Sequence, residues 1–116
     1  MSVNTAKIER FLHGQVEAWN AHDKESFFGL YKALSPNGLA IDYVGQPVRP
    51  AWDILEDMWA KQNDKIRIEV AKTIINGSEA ACHHLNHVTG AGFAIETIEL
   101  YAFGDGELSV RYFIAN

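Results

Sequence analysis

Apolar residues recur along the first twenty positions with the period of a helix. Ile8, Phe11, Leu12, Val16 and Trp19 fall at i, i+3, i+4, i+8 and i+11, which predicts one amphipathic helix from Thr5 to about Asn20. Gln15 is the polar break in that stripe. Asp23 then stands where an N-cap belongs, and Phe27, Leu30, Tyr31 and Leu34 predict a second, shorter helix that forms a hairpin with the first. Ser35 to Gly38 breaks the pattern, and Leu39 to Val44 reads as a strand. Pro50 suits the first position of a third helix, with Trp52, Leu55, Met58 and Trp59 at helical spacing.

From Ile66 onward the pattern is that of strands. Ile66 to Ile75 is rich in β-branched residues, Asn76-Gly77 signals a hairpin, and Ala80 to Val88 returns. Gly90-Ala91-Gly92 turns the chain into a long strand from Phe93 to Phe103. Gly104-Asp105-Gly106 turns it again into Leu108 to Ile114. The expected fold is therefore one α+β domain spanning residues 1–116, with three N-terminal helices packed on one face of a mostly antiparallel sheet.

Composition narrows the functions. The 116 residues are 47% hydrophobic and 22% charged, enough for one ordered core. The net charge is −5, and the ten Lys and Arg residues form no run that could track a phosphate backbone, so nucleic acid is not an expected partner. No stretch of eighteen apolar residues occurs and the N-terminus lacks an apolar signal region, so we expect no membrane partner and a cytoplasmic protein. The single cysteine, Cys82, has no internal partner and reads as a small core residue.

Two acids stand out because a carboxylate loses by burial. Asp42 shares a strand face with Ala40 and Val44, while Leu39, Ile41 and Tyr43 line the other. Glu99 shares a face with Phe93, Ile95, Thr97, Tyr101 and Phe103; Glu96 interrupts the opposite one. A shared cavity would account for Asp42, Glu99 and Gln15 together. His83, His84 and His87 do not converge as metal ligands would, since His83 and His87 stand about 13 Å apart on a strand and His84 points the other way. We expect no metal and no cofactor. The glycines mark hairpin turns and open no helix, which argues against phosphate binding.

The order of elements, together with WNAHDKESFFGLY, AIDYVGQP and IELYAFGDGEL, resembles the nuclear transport factor 2-like superfamily of cone-shaped, cystatin-like folds. Within it the chain looks like the ketosteroid isomerase-like and polyketide cyclase-like group. The resemblance implies a curved sheet, an enclosed hydrophobic pocket, and an enzyme that moves a proton on an apolar carbonyl-containing molecule. It places Asp42 on the catalytic aspartate and Glu99 on the strand acid that stays protonated and donates to the enolate oxygen. Tyr31 and Trp59 fall where the isomerases have supporting tyrosines, and Tyr101, Phe93 and Val44 are expected to complete the pocket. Gln15 replaces the tyrosine of the oxyanion hole; an amide is a weaker acid than a phenol and stabilises negative charge less. The same fold also serves as a non-catalytic module that binds a hydrophobic ligand or a protein. Members of the superfamily often dimerise through the outer sheet face, which implies a homodimer here, with Ile68, Val70, Val110, Tyr112 and Ile114 as apolar candidates.

Overall fold

A computed structural model describes residues 4–115. The helical stripes become α1 (Thr5–Asn20), α2 (Lys24–Leu34) and α3 (Ala51–Gln62). The strands are β1 (Gly38–Tyr43), β2 (Ile66–Asn76), β3 (Glu79–Val88), β4 (Phe93–Phe103) and β5 (Glu107–Ile114). Asn4 caps α1 by accepting from the Lys7 amide, and Asp23 caps α2 by accepting from the Ser26 amide. Pro50 lies one position earlier than expected: it is the N-cap of α3, extended in backbone, and its carbonyl accepts from the Ile54 amide. None of these helices is long and apolar enough to cross a membrane.

The sheet order is β1-β5-β4-β3-β2. β1 runs parallel to β5, and every other pairing is antiparallel. Gly77, with a φ of 59°, takes the left-handed conformation that closes the β2–β3 hairpin. The alternation along β5 identifies the two faces of the sheet. Leu108, Val110 and Tyr112 are buried beneath the helices, whereas Ser109, Arg111 and Phe113 are exposed.

This alternation corrects the expected dimer surface. Val110 and Tyr112 belong to the core, and Ile68 and Ile114 border a cavity on the helix side of the sheet. The outer face instead exposes Ile98, Leu100 and Phe113. A bulge between Val70 and Lys72 adds the unpaired residue Ala71, which resets the alternation partway along β2. Residues counted from Ile66 therefore change face, a shift that a strict period of two does not foresee.

Side-chain hydrogen bonds hold α1 over the sheet. The Asn20 amide imitates a neighbouring strand at the edge of β2: its Nδ2 donates to the Ile68 carbonyl at 2.9 Å, and its Oδ1 accepts from the Ile68 amide at 2.8 Å. Trp19 Nε1 donates to the Ile66 carbonyl at 2.9 Å. Buried Asn63, just past α3, donates to the Trp19 carbonyl at 2.9 Å. These bonds fix the level at which α1 presents Gln15 to the sheet. Asn20→Ala should lower the unfolding free energy by about 1–2 kcal/mol, because both backbone groups of Ile68 lose their partner; urea denaturation would measure it, and an unchanged midpoint would show that water replaces the amide.

Candidate active site

The helices and the sheet enclose a cavity of about 450 Å³. Trp19, Phe27, Ile54, Met58, Ile66 and Ile68 give it apolar walls. Its floor is polar and deeply buried: Gln15 is 4% exposed, Glu99 6% and His84 2%. Such groups are costly to bury unless hydrogen-bonded, so where their bonds go decides what the site can do.

Two chains of donors converge on Glu99. In the first, the Tyr31 hydroxyl donates to Gln15 Oε1 at 2.7 Å, Gln15 Nε2 donates to the Tyr101 hydroxyl at 2.8 Å, and Tyr101 donates to Glu99 Oε1 at 2.5 Å. In the second, Asn86 Nδ2 donates to Thr97 Oγ1 at 3.1 Å, and Thr97 donates to Glu99 Oε2 at 3.2 Å. Both carboxylate oxygens are thus acceptors. In this arrangement the neighbouring hydroxyls of Tyr101 and Thr97 donate to Glu99, whereas the resemblance implies a Glu99 that itself donates to a ligand oxygen.

His84 supplies the matching cation. Its Nδ1 lies 3.0 Å from Glu99 Oε2, yet the N–H points off the line to that oxygen, so the contact is chiefly electrostatic. It is the only buried side-chain polar atom without a hydrogen bond among the described residues. Burial alone would lower the His84 pKa; contacts with Cys82 and Glu99 outweigh it and raise the pKa to about 9. The imidazole is therefore protonated at neutral pH. Around it the phenols stay neutral: burial, reinforced by the negative charge of Glu99, pushes Tyr43 up to about 12 and raises Tyr31 and Tyr101 further. Tyr112 is raised well above its ordinary value, by burial first and by Tyr31 and Glu99 next.

Of the residues singled out in the sequence, Gln15 and Glu99 meet at this floor and Asp42 does not. The parallel register sets Asp42 beside Arg111, and Asp42 Oδ2 lies 3.3 Å from Arg111 Nε on the outer face of the sheet. The reason is the alternation of β1: Ile41 is buried and Tyr43 borders the cavity, so the residue between them points away. Tyr31 lines the cavity, and Tyr101 reaches Glu99 from behind it. Trp59 packs instead with Trp19, Phe27 and Phe28. Phe93 and Val44 are 57% and 42% exposed and lie outside the lining.

Two further acid–histidine pairs of the sheet lie nearer the solvent. Glu96, opposite Leu85, contacts His83 at 2.5 Å, and Glu69 contacts His87 at 2.7 Å. No cluster of three or more His, Cys, Asp or Glu side chains suited to a metal occurs among the described residues. In the sequence His84 is weighed only against a metal site and set aside, so its place beside Glu99 is missed. The signal was available: the Gly90–Gly92 turn pairs Val88 with Phe93, which sets Cys82 opposite Glu99 and His84 opposite Thr97. His84 is then a diagonal neighbour of Glu99 on the same face.

No protein-family model matches the chain, and no curated protein matches it in sequence. Solved structures do match in shape. AclR from Streptomyces galilaeus, described as a candidate hydroxylase, superposes with a TM-score of 0.75 at 14% identity, over 97% of this chain and 91% of AclR. A nuclear transport factor 2-like protein of unknown function from Burkholderia xenovorans LB400 gives 0.73 at 15% identity, over 96% of this chain and 84% of the other. A candidate SnoaL-like polyketide cyclase from Jannaschia sp. CCS1 gives 0.72 at 14% identity, over 98% and 88%. At such identities the likeness establishes the fold, including its open, mixed five-stranded sheet.

The raised His84 pKa makes stability depend on pH. A histidine whose folded pKa exceeds its unfolded value of about 6.5 contributes fully below that pH and loses its contribution as pH rises toward 9. Thermal or urea unfolding should show stability falling by on the order of 2–3 kcal/mol over that window, and His84→Gln should flatten the decline. A parallel decline in that variant would assign it to other groups.

Proposed function

We infer that this chain, which carries the nuclear transport factor 2-like fold, performs acid–base chemistry on an apolar carbonyl compound held in its cavity, with Glu99 as the group that moves the proton and His84 as the group that steadies the enolate oxygen. The observation that carries this reading is the close contact of Glu99 and His84 at the buried floor of a cavity with apolar walls. Two buried ions contribute little net stability compared with apolar side chains of the same volume, and a pocket that only holds grease has no use for them.

The geometry supports a division of roles. Glu99, as a carboxylate, takes a proton from the carbon beside the carbonyl and returns it to the same or a neighbouring carbon. The His84 imidazolium stabilises the enolate oxygen formed meanwhile. Gln15 bonds to Tyr31 and Tyr101 on its two sides, so it acts as a positioning residue for Glu99 and not as an oxyanion donor. This is isomerase-like or cyclase-like chemistry with its base on β4, in place of the aspartate on β1 that the resemblance implied. A binding module is the competing reading, favoured by the engagement of both Glu99 oxygens.

Proton exchange separates the two. β-Tetralone, an apolar bicyclic ketone, should exchange its α-hydrogens with deuterated water faster in the presence of the protein, followed by NMR. Glu99→Gln should remove roughly 100-fold or more of that acceleration while still binding the ketone. Binding without any acceleration by the unaltered protein would leave the binding module as the function.

The same proposal places a second copy of the chain on the outer sheet face, across Ile98, Leu100 and Phe113. Sedimentation should report a dimer at micromolar concentration that Leu100→Glu converts to monomer, whereas a monomeric unaltered protein would remove the homodimer.

A further inference from the structure

The mouth of the cavity carries charges that the acid–base reading leaves unused. Arg49, on the segment between β1 and α3, and Lys61, in the last turn of α3, both border the opening. Both turn to one carboxylate, that of Asp57. Arg49 Nη2 lies 2.5 Å from Asp57 Oδ2, and Lys61 Nζ lies 3.9 Å from the same oxygen. Arg49 and Lys61 together hold the Asp57 carboxyl below its ordinary pKa, so it is an anion and the rim keeps one positive charge in excess.

That excess is local, because the whole chain has a net charge of −5. Asp57 and Glu99 are the only carboxylates bordering the cavity among the described residues, and Glu99 is matched by His84. The rest of the polar rim is neutral, made by Gln46 and Gln62, while Ile95 and Ile114 border the opening as apolar groups. Lys61 has an ordinary role at the C-terminal end of a helix. Arg49 belongs to an exposed segment without regular structure, and its ion pair with Asp57 on α3 places its guanidinium at the opening. About half of each partner's side chain remains exposed, so an incoming anion meets these cations without burying them.

We propose that the ligand is an amphipathic acid, whose apolar body occupies the cavity with its carbonyl at Glu99 and His84 and whose carboxylate emerges at the mouth between Arg49 and Lys61. This rests on the reading of the cavity as the ligand site, but not on turnover. Asp57 engages the same two cations that would receive the ligand's carboxylate, since a guanidinium pairs with either kind of carboxylate. The rim then has two opposite levers. Removing the cations weakens the acid, and removing Asp57 strengthens it.

The test uses a matched pair of probes of one size and shape, β-naphthylacetate and its neutral amide, with affinities measured by calorimetry at low salt. The full chain should bind the acid roughly fivefold more tightly than the amide, a preference that shrinks as salt screens the rim. Arg49→Gln combined with Lys61→Gln should abolish the preference and leave the amide's affinity unchanged, and Asp57→Asn should enlarge it. Equal affinities in the unaltered protein, a preference that survives loss of both cations, or binding of neither probe would overturn the proposal. A preference of the expected size in a protein that never accelerates β-tetralone exchange would refute the acid–base reading and leave the amphipathic-acid site standing.

Discussion

A carboxyl group on a residue only 6% exposed needs hydrogen-bond partners, and four elements of the fold supply them. Glu99 is served from β4 by Tyr101 and Thr97, from β3 by His84 and, through Thr97, by Asn86, from α1 by Gln15 and from α2 by Tyr31. Two helices and two strands therefore share one charge. Gln15 is the joint between the layers, because it accepts from Tyr31 on α2 and donates to Tyr101 on β4. The Asn20 and Trp19 bonds to the edge of β2 matter for the same reason, since they set the position of α1 on which that joint depends.

The direction of the donors gives the site its electrostatic character. Tyr31 donates a hydrogen bond to Gln15, Gln15 to Tyr101 and Tyr101 to Glu99, so each bond polarises the next toward the acid. Burial first, and the charge of Glu99 second, raise the pKa of the surrounding phenols, which keeps them as donors. The same anion, together with Cys82, holds the proton on His84 against the cost of burial. The result is a buried acid–histidine contact beneath apolar walls, at a depth where a molecule that brings little charge of its own can reach it.

Much of the architecture was legible because helical and alternating periods are properties of neighbouring residues. The stripe from Ile8 to Trp19, the cap at Asp23, the Asn76-Gly77 hairpin and the limits of β4 all follow from local chemistry. The nuclear transport factor 2-like resemblance carried the fold, as the solved structures of the same shape show. The site was half legible for a related reason. Alternation groups Asp42 with Ala40 and Val44, and Glu99 with Thr97 and Tyr101, but it does not say which group faces inward. That choice belongs to distant pairings: β1 lies parallel to β5, which sets Asp42 against Arg111, while the β3–β4 hairpin sets His84 near Glu99. The bulge at Val70 and Lys72 likewise adds a residue that no period announces. The GQP segment after Asp42 resembles a catalytic motif, yet only Gln46 and Pro47 of it border the cavity, and the acid itself is left outside.

The central claim, that contacts with Cys82 and Glu99 hold a proton on the buried His84, is tested most directly by an NMR titration of the His84 imidazole in the unaltered protein and in Glu99→Gln. The account predicts a midpoint at about 9 in the first and a fall of more than one pH unit in the second. A midpoint near the ordinary histidine value in both proteins would contradict it.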